Sequence, residues 1–155
     1  MNKKYKQKFD LILMVHVLEH IPNPVQDLKF AYQLLKPGGY VVGETENIFS
    51  WDFNILKRFW GLLSLPRHLF FFTPDSLKFI AGITGFKLFK INFQLNTEGW
   101  ALGTQFFYRN RLKSNTFKIR GRFYPLLLIF FIPISLVQKL FKKSGVVEFV
   151  FRKPL

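Results

Sequence analysis

The 155-residue chain carries 23 Lys and Arg against nine Asp and Glu, a formal net charge of +14, and 21 of its residues are Phe. That balance excludes a disordered acidic tail, a collagen-like rod and a coiled coil, and the lack of cysteine excludes thiol ligands, disulfides and a cysteine nucleophile. A chain of this length buries roughly two thirds of its unfolded surface, enough for one core and so for one domain.

Lys, Phe, Ile and Asn are abundant together, the bias that AT-rich coding imposes on ordinary proteins. A basic excess still attracts anionic lipid or nucleic acid without sequence preference. No DNA- or RNA-recognition motif is visible, so no specific nucleic-acid partner is expected. The opening MNKKYKQKFDLILMV has a basic head and an apolar run, but Asp10 precedes the run and His16, Glu19 and His20 follow it without a small-residue cleavage site. It therefore does not read as a secretory signal, and a cytoplasmic location is expected.

Residues 9–17 (FDLILMVHV) form a nearly unbroken apolar run, as in a strand covered on both faces of a parallel sheet. Asn23 can cap a helix that opens on Pro24, with Gln26 closing a capping box. Val25, Leu28, Ala31, Tyr32 and Leu35 recur at three- and four-residue steps, which predicts a helix over 24–35 with one buried face. Lys36-Pro37-Gly38-Gly39 stops it. A second strand over 40–45 completes a right-handed β-α-β unit, so the first half is α/β. An aromatic region over 46–72 follows, with a short helix at 53–63. Thr73-Pro74-Asp75-Ser76 opens a helix reaching Ile83, Gly85 ends it, and a strand runs over 86–93.

Residues 123–137 (FYPLLLIFFIPISLV) carry no charge and are bracketed by Arg120, Arg122, Lys139, Lys142 and Lys143. As a helix they reach roughly 22 Å, short of the ~30 Å hydrocarbon core, and Pro133 interrupts them. The segment reads as an apolar helix lying in a membrane interface or covering the sheet. An anionic membrane surface is thus a candidate partner, with peripheral location as a consequence. Residues 146–152 alternate as a last strand, entered by the Ser144-Gly145 turn.

Four stretches in register carry a resemblance: FDLILMVHVLEHIPNP from Phe9 to Pro24, Leu34-Leu35-Lys36-Pro37-Gly38-Gly39, Pro66-Arg67-His68-Leu69, and Ala81-Gly82-Ile83-Thr84-Gly85-Phe86. Together they resemble the C-terminal half of a class I S-adenosylmethionine-dependent methyltransferase, most closely the small-molecule branch with the ubiquinone-biosynthesis-like and type 11/23 domains. The resemblance spans about residues 9–94, and 147–154 is similar to the family's last strand. It implies an α/β fold with a Rossmann-like sheet in the order 3-2-1-4-5-7-6, of which this chain would supply strands 4 to 7. On this reading 1–155 is a single partial methyltransferase domain, with 123–143 an apolar and basic helical insertion.

The family's Gly-rich turn and ribose-binding acid are not found in the sequence. Three readings follow: a truncated methyltransferase, a chain that pairs with a separately encoded N-terminal half, or a piece reused as a non-catalytic membrane-surface or scaffold protein. The chain alone is expected neither to bind S-adenosylmethionine appreciably nor to be active.

The resemblance implies S-adenosylmethionine as cofactor, with Met14, Val15 and His16 at the end of the first strand facing it, and a small-molecule acceptor. An imidazole titrates near neutrality, which suits His16 to take a proton from a hydroxyl acceptor. His20 and His68 are further catalytic candidates. Trp51, Trp60 and Arg67, with Phe53 and Phe59, would surround the acceptor, Arg67 holding an anionic group. Glu44, Glu46 and Asn47 are weaker candidates. Some relatives bind a divalent metal through Glu-x-x-Glu-His at the place of His16, Glu19 and His20. Here His16 stands at the first Glu, as in metal-free relatives, and no metal is expected.

Overall fold

The computed structural model describes residues 5–112, 121 and 123–155. The chain forms two compact units, one made of Met1–Glu46, Leu69–Asn92 and Val147–Leu155, the other of Asn47–His68 and Phe93–Val146.

The first unit holds most of a four-stranded sheet in the order β1-β2-β4-β3, formed by β1 Phe9–Val15, β2 Leu35–Glu46, β3 Lys87–Phe93 and β4 Val146–Arg152. This is the expected 4-5-7-6 order. β1 and β2 are parallel, with Leu13 opposite Val42 and Met14 opposite Gly43. β4 runs antiparallel to β2, since Lys153 N donates to Gly39 O at one end and Asn47 N donates to Gly145 O at the other.

The helix between β1 and β2, α1 Pro24–Leu34, begins as its sequence dictates: the Asn23 side chain accepts from Gln26 N, and Pro24 needs no donor at the first position. Its last turn carries no basic residue of its own. Lys153, directly after β4, supplies one by donating to the carbonyls of Tyr32 and Leu35 at 2.8 and 2.7 Å. This cation neutralises the carbonyl end of the helix, although burial, and then Lys6, hold the Lys153 ammonium below the usual lysine range. α3 Pro74–Ile83 has a complete capping box between Thr73 and Ser76, and Gly85 ends it at φ +89°, a conformation that a Cβ would strain.

β1 departs from expectation. Phe9, Leu11, Leu13, Val15 and Val17 are exposed, whereas Ile12 and Met14 are half-buried. The run is therefore covered on one face only among the described residues. A continuous apolar sequence records that both faces suit an apolar neighbour, not that both have one.

In the second unit the expected short helix is α2 Trp51–Leu56 followed by a 3-10 turn over Lys57–Phe59. A helix that the sequence reading passes over, α4 Glu98–Arg111, packs against both. The apolar run folds as two helices, α5 Tyr124–Phe130 and α6 Ile132–Leu140, broken at Phe131 beside Pro133, while the flanking Arg120 and Arg122 lie outside the described residues.

Candidate active site

At the carboxyl end of β1 the backbone turns sharply. His16 N still donates to Glu44 O at 3.0 Å, continuing the β1–β2 pairing, but His16 itself takes φ +50°, which lifts the chain off the sheet. The turn closes with His20 N on Val17 O, Leu18 is fully buried beneath it, and Glu19 O accepts from Leu69 N and Phe70 N. The side chains of Glu19, on the turn after β1, and of Glu46, the last residue of β2, are thereby held almost without solvent.

His16 sits over this pair. Its Nδ1 is 3.2 Å from Glu19 Oε1 and 3.4 Å from Glu46 Oε1, and its Nε2 is 3.9 Å from Glu44 Oε2. His16, Glu19 and Glu46 can each present one ligand atom within 4.8 Å of the others, while Glu19 Oε2 is buried without a hydrogen-bond partner. Half of the imidazole remains open to solvent, so the ring can exchange protons with a ligand while its other nitrogen is fixed.

Burial, with the neighbouring Glu19 charge and a hydrogen bond to Glu19, pushes the Glu46 carboxyl up from 4.5 to about 7; its own backbone and His16 pull the other way. Folding therefore tightens proton binding at Glu46, and stability present below pH 4.5 declines as pH rises through about 7. Glu46→Gln, which mimics the protonated carboxyl, should be about 3 kcal/mol more stable than the parent at pH 8 and equal to it near pH 4. Urea unfolding at the two pH values checks this, and an equal difference at both would refute the assignment.

The profile of a family described as "Methyltransferase domain" matches residues 1–91, more than half of the chain. The chain belongs to the methyltransferase domain family. An 80-residue stretch, 50% of the chain, is 32% identical to the ubiquinone biosynthesis O-methyltransferase of Photorhabdus laumondii, and spans 32% of that protein. The chain thus matches about a third of the length of this curated relative. Among solved structures, an S-adenosylmethionine-dependent methyltransferase of Thermotoga maritima superposes with a TM-score of 0.58 at 17% identity, over 96% of this chain and 57% of the other. One from Archaeoglobus fulgidus gives 0.56 at 20% identity, over 96% and 61%. The methyltransferase domain has the Rossmann-like fold of the class I S-adenosylmethionine-dependent enzymes.

Within the methyltransferase domain the other expected site residues lie in varied surroundings. Met14 is half-buried, Val15 is exposed beside Glu44, and His20 is exposed. In the second unit Arg67 is exposed and His68 is buried. Trp51 packs tilted against Phe141 with ring centroids 5.6 Å apart. Trp60 is buried and donates through Nε1 to Asp52 Oδ2 at 2.7 Å, so its polar edge is committed to the unit's interior. Asn47 is likewise committed, donating to Ser144 O and accepting from Phe49 N. Phe59 lines an apolar cavity of about 550 Å³ with Ile55, Leu56 and Phe107, rimmed by Lys57 and Arg58. Sequence reasoning placed Glu46 among weak candidates. Nothing local marks it, because its meeting with His16 depends on the parallel register of two strands separated by a helix.

Proposed function

We propose that the methyltransferase domain moves a methyl group from S-adenosylmethionine to a hydroxyl of a small-molecule acceptor, with His16 as the proton acceptor. The observation that carries this reading is the half-open His16 imidazole, held through Nδ1 by two buried carboxyls at the carboxyl ends of β1 and β2. Ligands of open α/β sheets bind beyond those strand ends.

The residues present suit the cofactor's chemistry. Its cationic groups match the unpartnered buried oxygen of Glu19, and a nearby cation would draw Glu46 back toward the ordinary carboxylate range. When bound, the cofactor supplies an electrophilic methyl group. Met14, Val15 and His16 are the residues that would hold it. The Glu19 carboxyl accepts from Nδ1–H and thereby orients the ring, leaving Nε2 to take the acceptor's proton. His20, exposed on the turn that follows β1, is assigned to assisting proton removal. The family's glycine-rich turn and ribose acid are not among these residues, so cofactor affinity should be weak.

An amide NMR titration with millimolar S-adenosylhomocysteine tests the reading. Shifts should concentrate at residues 14–19 and 44–46, while calorimetry at micromolar concentrations detects no binding. His16→Gln should keep those shifts and lower labelled-methyl transfer to phenolic acceptors about 100-fold. Shifts confined elsewhere, or transfer indifferent to His16→Gln, would overturn it.

A further inference from the structure

Helix α6 is built inside out. The residues it buries are polar: Ser135, whose hydroxyl donates to Asn96 O, and Gln138, which accepts from Trp100 Nε1 and donates to Asp52 Oδ1 and Lys143 O. The residues it turns outward are Leu136, Val137 and Leu140, the last 78% exposed. Helix α5 buries no residue, and Leu126, Ile129 and Phe130 stand out of it at 61%, 63% and 72% exposure. The corner between the helices is pinned from within, because the Phe131 ring stacks on Trp100 at 5.7 Å and 15°. A helix facing water shows the opposite arrangement, with its apolar stripe inward. Large contiguous apolar surfaces on soluble monomers mark a contact with something apolar.

Charge selects the contact. Lys139 and Lys142 are exposed beside the apolar face, and the sequence has nine Lys and Arg but no acid between Glu98 and Glu148. A second copy would set like charge against like charge, whereas an anionic bilayer presents phosphates to the lysines and acyl chains to the leucines and phenylalanines. No described helix is long and apolar enough to cross a membrane, which matches a surface that lies in the interface.

We propose that the outer face of α5 and α6, with Lys139 and Lys142, docks the second unit onto an anionic lipid bilayer. Phe130, Leu136, Leu140 and Phe141 enter the acyl boundary, and the lysines engage the headgroups. This inference stands apart from the catalytic reading, since none of its residues belongs to the strand-end site.

The test is flotation of the 155-residue chain with vesicles of phosphatidylcholine alone or mixed with phosphatidylglycerol. The chain should float with the mixed vesicles and far less with the neutral ones, and 1 M salt, which shortens screening to about 3 Å, should release much of it. Phe130→Gln with Leu140→Gln, both at exposed positions, should lower partitioning about tenfold while circular dichroism stays unchanged. Lys139→Glu with Lys142→Glu is a second, independent variant that should act on the anionic vesicles alone. Any one of three results would overturn the proposal: no flotation with mixed vesicles, flotation indifferent to both variants, or a soluble dimer that the glutamine variant dissociates while vesicles remain unbound.

Discussion

Asp52→Ala should destabilise the second unit by about 4 kcal/mol, a large part of a typical domain's stability. Asp52 is fully buried in the first turn of α2, where Oδ2 accepts from Trp60 Nε1 at 2.7 Å and Oδ1 from Gln138 Nε2 at 3.0 Å. Removing the carboxyl leaves two donors buried without acceptors, at about 1–3 kcal/mol each, and takes an acid away from a helix N-terminus. The neighbouring glycines show how tightly the group is housed. A Cβ on Gly145 would come 2.5 Å from Asp52 Oδ2, and one on Gly99 would also collide with that atom. Asp52→Asn should lose about half as much, because its amide keeps one acceptor and sets a donor against the other donor. Urea unfolding followed by tryptophan fluorescence measures both. A loss below about 1 kcal/mol for Asp52→Ala would show that the network is not a stabilising one.

Gly43→Ala should cost about 3 kcal/mol and disturb the strand-end site as well. Gly43 lies opposite Met14 in the β1–β2 ladder, and a Cβ there would stand 2.7 Å from the Met14 carbonyl oxygen and overlap the Phe149 ring. The ring is fully buried and tilted against Phe151 with centroids 4.6 Å apart, so it has no room to withdraw. The strands must separate instead. Because Glu44 follows directly and pairs with Val15, the displacement reaches His16 and its carboxyl partners. Amide exchange should then quicken at residues 13–16 first, with the helix α1 amides little changed. Retained protection in β1 at wild-type stability would show that β1 and β2 do not approach as closely as this geometry requires.

Much of the architecture was legible where it rests on neighbours in sequence. Asn23-Pro24 and Thr73-Pro74 open helices because a side-chain oxygen three residues from a free backbone N–H is a local event. Helix α4 was illegible because its glycines and aromatics blur the period; Gly103 is required by the 3-10 turn instead, as its Cβ would stand 2.9 Å from the Phe59 carbonyl oxygen. The strand end was legible as a place, with His16 on it as a candidate. Glu46 was not, since what distinguishes it is desolvation and the charge of Glu19, neither of which is written in the residues beside it.

The four motifs in register implied, through the family they resemble, the strand order that the sheet adopts. By itself the sequence determined the β-α-β start, the caps and the turn at Gly85. These follow from short-range hydrogen bonding and backbone restriction, which act before distant contacts form. Only the tertiary structure decided which face of β1 is covered, which polar groups of α6 turn inward, and that Asp52 meets Gln138 across 86 residues. Burial is a property of what packs against a residue, so the same apolar run suits an interior strand or an exposed face. The charge of a buried carboxyl depends likewise on partners that only the fold brings within a few ångströms.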